Sequence, residues 1–422
     1  MKNQAVIGMA VALMGASLAA QDWSAIQAKI ARADAKVIVS MLASYDVFER
    51  EAALAQIARE DDNPKLTRAA AAALPSLGSP DARIQLITVL AERNDPAAAP
   101  AIRHALRDTD EAVRTAAIIA CGQMKDDKAA DALIGMYRQT PASENLREAL
   151  RRIPNPAIDL ELVKMFKMRI YTNRAALLDL LAARRYAGVY ALAMDPQLFD
   201  GSDMTLTRSA VNVIRTYAPE GQFRPLLDFA QKLRPQAADW LLGILTTTLN
   251  EATDKATHEQ HMVSLLQTCQ PDFALTLTAL LSISQGQLAL SALSKRLASG
   301  DVDTRKDAAR CLGRWMNEDA LPALVFAGKG DRDLGVQNLA WRSLVDVARR
   351  EEKMTINNRA VAALQEAIWN APRQAERSAA LDAFKTYLRK DGGLRWLLDK
   401  IEAERLDLAD EVKQMKHELN IR

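Results

Sequence analysis

The fold of this chain is decided by a short motif, which reads DTDEAVRTAAIIACG at residues 108–122 and returns as DVDTRKDAARCLG at residues 301–313. Both copies contain an aspartate, an arginine four residues later and a closing glycine. These are Asp110, Arg114 and Gly122 in the first copy and Asp301, Arg305 and Gly313 in the second. An arginine followed by small residues also recurs at Arg50, Arg68, Arg208 and Arg377. Six copies along the chain predict an internal repeat architecture.

The composition favours closely packed helices. Only 17 Gly and 15 Pro occur in 422 residues, aromatic residues make up 5% and hydrophobic residues 49%. Such a chain has few helix breakers and too few aromatic and turn residues for a β-sandwich or barrel, and it is neither disordered nor disulfide-stapled. The net charge of +2 gives no indication of nucleic-acid or acidic-membrane binding.

The spacing of apolar residues predicts an all-α protein made of antiparallel helix pairs, an α-solenoid that covers residues 21–393. The separators between predicted helices are short and carry Pro, Gly or Asp. The longest irregular segment is 195–204, where we expect a kink in an otherwise continuous array.

The motif resembles the HEAT repeat family, in particular the bacterial HEAT-like repeats of the phycobilisome-lyase type. The resemblance is close at 108–138 and 301–328 and weak between 140 and 300. It implies an armadillo-type fold and specifies no single function, because the same repeat serves many tasks. It also implies a structural ladder of ion pairs along successive repeats, formed by Asp46, Arg50, Asp110, Arg114, Asp301 and Arg305.

The amino terminus has the pattern of a secretory signal peptide at residues 1–20. Lys2 precedes an apolar run that is too short to span a membrane, and Ser17 and Ala19 are small residues near the expected cleavage site. We therefore expect a periplasmic or secreted bacterial protein. The three cysteines, Cys121, Cys269 and Cys311, contain no CxxC motif and are predicted to be buried thiols without disulfides.

Sequence motifs for catalysis or cofactor binding are weak. His258 and His261 are three residues apart, whereas the zinc-protease motif requires histidines four apart, so they predict a polar surface helix. Deoxyhypusine hydroxylase resembles this chain in fold class, but it needs several His-Glu pairs within the repeats, and the only ones here begin at His258 and His417. HEAT-like DNA glycosylases need a basic groove, whereas residues 301–350 have no basic excess. We expect no enzyme activity, no cofactor, no metal and no nucleic acid.

A partner site is predicted in the C-terminal half, which holds five of the six tryptophans. Trp315, Trp341 and Arg342 are the candidate partner-binding residues, since exposed Trp and Arg dominate many interfaces. The alternative is that the tryptophans fill a core of Ala and Leu. The predicted function is an exported, non-catalytic scaffold whose concave surface binds a protein or another macromolecule. The alternatives are an enzyme or obligate enzyme subunit with a site assembled at the groove, and a scaffold that simply oligomerises.

The last segment, 394–422, is predicted to be one long helix without Pro or Gly after Gly393. Its apolar positions follow heptad spacing and include a pairing seam at Leu408, Val412, Met415 and Leu419, with Arg405 inserted. Two interpretations remain open. The helix either covers the end of the array, or its distal part pairs with a partner helix or a second copy in a homodimer.

Overall fold

The computed structural model describes residues 26, 29–30, 33–59, 63–168, 173–219, 221–350, 359–390 and 395–420. Over these residues the chain is all-α, with helices and short 3-10 turns and no β-strand, which confirms the predicted fold class. No helix among them is both long and apolar enough to cross a membrane. The predicted signal peptide lies outside the described residues. Contacts divide the chain into two compact units, residues 1–192 and 193–422.

The first unit is a stack of antiparallel helix pairs. In each pair the odd-numbered helix is called the first helix and the even-numbered helix the second helix. Its helices are α1 (Ala35–Leu42), α2 (Val47–Arg59), α3 (Pro64–Ala73), α4 (Pro80–Arg93), α5 (Ala99–Ala105), α6 (Glu111–Gln123), α7 (Ala130–Gln139), α8 (Glu144–Arg152), α9 (Pro156–Lys167), α10 (Arg174–Ala183) and α11 (Val189–Ala193), at which the units divide. Each second helix from α2 to α10 packs on the next second helix, which is the stacking expected of a repeat array.

The second unit has the same arrangement. Its helices are α12 (Met204–Tyr217), α13 (Phe223–Ala230), α14 (Pro235–Glu251), α15 (Lys255–Leu266), α16 (Pro271–Ser284), α17 (Gln287–Leu297), α18 (Val302–Leu312), α19 (Leu321–Gly330), α20 (Leu334–Arg350), α21 (Arg359–Asn370), α22 (Gln374–Lys390), α23 (Trp396–Glu404) and α24 (Ala409–Glu418). Second helices α12 to α22 pack in sequence, and the first helices α15, α17, α19 and α21 form a second row beside them.

Small residues allow these helices to approach closely. A Cβ atom added to Gly122 of α6 would lie 2.7 Å from the Cα atom of Ala149 in α8, which is closer than real side chains come. Gly313 at the end of α18 has the same role in the second unit, because a Cβ atom added there would lie 2.6 Å from the Oγ atom of Ser343 in α20. The glycine and alanine positions of the motif are therefore explained by packing between neighbouring repeats.

The cysteines follow the prediction at two of three positions. Cys121 and Cys311 are buried and unbridged, which confirms the prediction, whereas Cys269 is only half-buried. Burial raises the pKa of the Cys121 thiol to about 12 and also raises the pKa of Cys311. Because the thiolate is the reactive form, both thiols are held in their inert state at neutral pH.

The predicted single C-terminal helix is wrong. The chain leaves helical geometry at Arg405, where φ is −123° and ψ is 76°, and residues on either side form α23 and α24, a last helix pair. Leu408 and Val412 are fully buried and Met415 is 7% exposed, because the 3-10 turn at 406–408 packs on α22 and α24 packs on α23.

This burial corrects the predicted pairing seam. Leu408, Val412 and Met415 are covered by their own chain, and Leu419 is half-buried, so these residues do not form an overhanging apolar stripe for a second copy. The interpretation that this segment covers the end of the array agrees with the structure. It does so as a hairpin of two short helices.

Candidate functional site

The predicted tryptophan site is not a surface. Trp315 is 1% exposed and Trp341 is 0% exposed, and the ring of Trp341 packs on Gly328 in the neighbouring first helix. The structure therefore contradicts their prediction as partner-binding residues, because both side chains are buried in the core of the second unit. Arg342 does lie on the surface, with 55% of its side chain exposed, and its Nε is 2.7 Å from the buried carboxylate of Glu376.

The motif arginines build structure between repeats. Arg305 donates to the backbone oxygens of Ser299 and Gly300 at 3.0 and 3.1 Å, and its Nε donates to Asp331 of the next pair at 2.8 Å. With only 12% of the Arg305 side chain exposed, this is a largely buried pair, and its predicted ion pairing is confirmed. Arg83, absent from the prediction, forms the same kind of pair with Asp108.

The other motif arginines bind carbonyl oxygens. Arg114 donates to the oxygens of Asp108 and Thr109, both at 2.9 Å, and Arg50 donates to the oxygen of Ser44 at 2.6 Å. These bonds satisfy the loop that joins the two helices of each pair. Arg114 was predicted to pair with an acidic side chain, and in the structure it binds these backbone carbonyl oxygens.

The motif aspartates cap helices, which corrects the predicted ladder. Asp110 accepts hydrogen bonds from the backbone N–H groups of Ala112 and Val113, at 2.8 and 3.1 Å. Asp46 and Asp301 cap the first turns of α2 and α18 in the same way. An N-cap side chain points back at its own helix and is not free to pair with another repeat. The acid that pairs with Arg305 comes instead from the loop between α19 and α20 of the next pair, where Asp331 lies.

The sequence predicted that the histidine pair lies on a simple polar surface helix, and the structure differs from this prediction. Glu259, between the two histidines, is 4% exposed and accepts a hydrogen bond from the backbone N–H of Ala289 at the start of α17. His261 is 2.9 Å from Asp228, and His258 packs on the ring of Phe223. Among the described residues no group of three His, Cys, Asp or Glu is arranged to hold a metal ion.

The candidate site is a groove on the first helices of the second unit. It has a volume of about 930 Å³ and is lined by one face each of α19, α21 and α23. Phe326 on α19 and Trp396 on α23 line it, and they are 76% and 59% exposed. Ala362 and Ala363 of α21 lie in the lining between them. We call this site the aromatic groove.

Two contacts fix the register of the three helices. Lys329 Nζ of α19 is 2.9 Å from Glu366 of α21, and Trp369 Nε1 donates to Glu404 of α23 at 3.0 Å. Because the same ends of the helices meet in both contacts, the three helices run parallel. Lys329 is opposite Glu366, so Phe326, three residues earlier, is level with Ala363. Glu404 is opposite Trp369, so Trp396, eight residues earlier, is level with position 361 of α21. The two aromatic residues therefore lie on either side of the stretch of α21 that contains the alanines.

The lining of the aromatic groove carries more positive than negative charge. Among the described residues that line it, Lys329, Arg359 and Lys400 are cationic and Glu366 is the one carboxylate. Lys329 is paired with Glu366, whereas Arg359 lies 3.8 Å or more from its acidic neighbours outside the groove. Lys400 lies 5.4 Å over the ring of Trp369. Lys400 is also 4.0 Å from Glu404, so each of these three cations has an acidic neighbour within 4.0 Å.

Phe326 also borders a second recess, with a volume of about 590 Å³, on the side of α17. This recess contains Leu297, Ala323 and the ladder pair of Arg305 and Asp331. Phe326 is therefore a ridge between two hollows on the same row of first helices, and the apolar surface continues on both sides of it.

The second helices present a different surface. Ion pairs connect the second helices of successive repeats. Arg342 pairs with the buried Glu376, and Arg349 pairs with Asp382 at 3.0 Å. Mutually paired charges leave little for a partner to gain, since each must first be separated from its neighbour. The exposed aromatic side chains of Phe326 and Trp396 make the first helices of the second unit the better candidate surface.

Comparisons with known proteins agree with the architecture. The family model for HEAT repeats matches residues 76–153 and 290–385. No curated protein sequence matches the chain. Among solved structures, a chain from a structure in which Kap95p binds RanGDP is 10% identical, with a TM-score of 0.42, and the alignment covers 97% of this chain and 65% of that one. This chain thus spans less than two thirds of that relative.

Two further structures are similar in the same way. Importin beta is 14% identical with a TM-score of 0.33, over 97% of this chain and 61% of that chain. The complex of CpcE and CpcF of phycocyanin lyase from Nostoc is 16% identical with a TM-score of 0.23, over 79% of this chain and 94% of that chain. The chain contains HEAT repeats in both units and has a HEAT-like α-solenoid architecture.

Proposed function

We propose that this chain is an exported, non-catalytic scaffold that binds a protein partner through the aromatic groove. The observation that carries the proposal is the pair of exposed aromatic side chains, Phe326 and Trp396, on either side of a floor of alanines. Large apolar side chains that cluster on a surface mark interaction sites, because their exposure costs free energy that binding recovers. The described lining of the groove on these first helices includes Trp369 and Trp396 but neither Trp315 nor Trp341, the two tryptophans that the sequence singled out.

The size of the groove supports a macromolecular partner. It is open along its length and bordered by a further hollow beyond Phe326, so the apolar surface extends past a single small-molecule pocket. Aromatic side chains surrounded by a charged rim are the usual composition of residues that dominate binding energy in protein interfaces. Export to the periplasm or the medium is part of the same proposal and rests on the amino-terminal pattern.

Substitution of Phe326 by Asp tests the proposal. We expect Phe326→Asp to reduce capture of the partner at least tenfold, because it places a charge at the centre of the apolar contact. The measurement compares proteins retained from periplasmic and secreted fractions by immobilised wild type and by the variant, with quantitative mass spectrometry. Phe326 is exposed, so the variant should unfold within a few degrees of wild type, consistent with the effect of about 0.5 kcal/mol typical of surface changes.

Leu406→Asp provides the matched control. Leu406 is 84% exposed in the same unit but lies outside the groove, so this variant should retain the partner. If Phe326→Asp retains the same proteins in the same amounts as wild type, the proposed site is wrong.

A further inference from the structure

We propose that one turn of α15, residues 258–261 with the sequence HEQH, is a joint that ties together three successive first helices of the second unit, α13, α15 and α17. The proposal concerns the rigidity of this unit and does not depend on the aromatic groove. Three observations support it: the two opposite faces of the turn, a capping position that fits Glu259, and the lack of motif arginines in the neighbouring second helices.

The two histidines form the face of the turn that contacts α13. The Nε2 atom of His261 lies 2.9 Å from Asp228 of α13. The ring of His258 packs on the ring of Phe223, also of α13, with 4.9 Å between the centroids. Residues three apart share one face of a helix, and each residue is rotated by about 100° from the one before it. Glu259 therefore lies on the side of α15 that is turned away from α13.

Glu259 contacts α17 on that opposite side. It is 4% exposed, and its carboxylate accepts a hydrogen bond from the backbone N–H of Ala289 in the first turn of α17. Of the described residues at the start of α17, Gly286 is the N-cap and has no side chain, and none in the first turn is acidic. Glu259 thus supplies, from the preceding helix pair, the acceptor that an N-cap side chain normally supplies within its own helix.

Gly286 leaves the space that this carboxylate fills. A Cβ atom at position 286 would lie 2.6 Å from the Cδ atom of Glu259, which is closer than real side chains come. The backbone of Gly286 has a φ of −91° and a ψ of 172°, a conformation that any residue can adopt. The glycine is therefore explained by the carboxylate of the neighbouring pair, and the two positions match each other.

The joint lies where the arginine ladder is missing. In α18 the fourth residue after the N-cap is Arg305, which pairs with Asp331 of the next repeat. The same position is Ala238 in α14 and Ala274 in α16, so these repeats have no motif arginine. The match to the HEAT family model resumes at residue 290, directly after the capping position. The joint therefore connects repeats that lack the usual cross-link to repeats that have it.

Hydrogen exchange of the full chain, measured by mass spectrometry, tests the joint. We expect Glu259→Ala to raise the exchange rate of the first-turn amides of α17 about tenfold, because the N–H of Ala289 loses its acceptor. The midpoint of thermal unfolding should fall by about 4 °C. His261→Ala should have the converse effect on exchange, raising it in α13 and leaving the first turn of α17 unchanged.

Gly286→Ser completes a double-mutant cycle with Glu259→Ala. Alone, it should lower the unfolding midpoint, because the added Cβ atom displaces the carboxylate of Glu259 and leaves it buried without its donor. Together with Glu259→Ala, the serine side chain has room, and its hydroxyl can cap α17 itself. The double variant should therefore recover at least half of the midpoint that Glu259→Ala loses, although each substitution alone is destabilising.

Gln260→Ala is the matched control, since Gln260 belongs to the same turn and its side chain is exposed. This variant should equal wild type in exchange and in unfolding midpoint. Unchanged exchange of α17 in Glu259→Ala would refute the joint, and so would losses that simply add in the double variant. If Glu259→Ala does not fold, the added serine must restore folding, and its failure to do so would also refute the joint.

Discussion

Replacing Trp341 by Ala is expected to destabilise the second unit by about 3–5 kcal/mol, the range measured for removal of a large aromatic side chain from a core. Trp341 is fully buried and its ring lies on Gly328, a position where no side chain is available to fill the space that the ring leaves. The cavity therefore persists in the variant. Urea denaturation followed by circular dichroism should show a transition midpoint lower by about 1 M or more, for m-values of about 1–3 kcal/mol/M.

The control is the same change at Trp396, which is 59% exposed at the edge of the aromatic groove. Trp396→Ala should cost less than about 1 kcal/mol, as surface substitutions usually do, while weakening partner binding. The two variants thus separate stability from binding. Equal loss of stability in both, or no loss at Trp341, would contradict the assignment of Trp341 to the core.

The second large effect is expected at Arg184, where Arg184→Met should destabilise the first unit by about 3 kcal/mol. Only 4% of the Arg184 side chain is exposed; it donates to the carbonyl oxygens of Ile153 and Asn155 at 2.7 and 3.0 Å and forms an ion pair with Asp159. Removing the guanidinium leaves a largely buried carboxylate and several carbonyl groups without their donor, which is the costly way to break a buried pair.

The matched control is Arg152→Met, which breaks an exposed ion pair with Glu148 in the same unit. Exposed pairs contribute about 0–1 kcal/mol, so this variant should unfold close to wild type. Both variants are measured by thermal unfolding at one salt concentration. The account of Arg184 is wrong if its loss costs no more than the loss of Arg152.

Sequence alone predicted the helix pairs well because their signals are local. Asp110, Asn155 and Asp254 each precede an apolar helical pattern, and each caps the helix that begins at the next residue. Pro80 and Pro271 occupy first turns, where a missing N–H costs nothing. These residues act on their own turn of helix, so no knowledge of the partner helix was needed.

The C-terminal segment shows where local signals are insufficient. Heptad spacing fits one long helix and also fits two amphipathic helices that fold back on each other. The break at Arg405 is determined by distant contacts, since Arg377 of α22 holds Asp407 at 2.7 Å and Lys416 pairs with Asp399 across the hairpin at 2.6 Å. Desolvation is the largest single influence on the pKa of Asp407 and raises it, but the hydrogen bonds and positive charges of Arg377 and Arg405 together outweigh it and lower this pKa.

A second set of structural arginines was also missed. Arg93, Arg184 and Arg350 lie at the ends of second helices, and each donates to a carbonyl oxygen near the end of the preceding second helix. A basic residue at the end of a helix is common and can bind carbonyl groups of that helix. Its recurrence at the ends of α4, α10 and α20 was the signal that could have revealed the longer-range contact.

The aromatic groove could not be derived from the sequence because its walls are seventy residues apart along the chain. One signal was nevertheless present. Phe326 lies out of phase with the buried stripe of α19, which includes Leu324 and Ala327, and Trp396 immediately precedes the buried Leu397. An aromatic residue on the polar side of an amphipathic helix indicates exposure, but only the stacking of three first helices brings the two together.

The central claim is that a partner protein occupies the aromatic groove, and site-specific photo-crosslinking tests it most directly. Benzoylphenylalanine is incorporated at position 326 in one sample and at position 406 in another, and each is irradiated in the native cellular fraction. Both positions are highly exposed, but only the first lines the groove. The account predicts one dominant protein adduct at 326 that is absent at 406. No adduct at 326, or the same adducts at both positions, would contradict it.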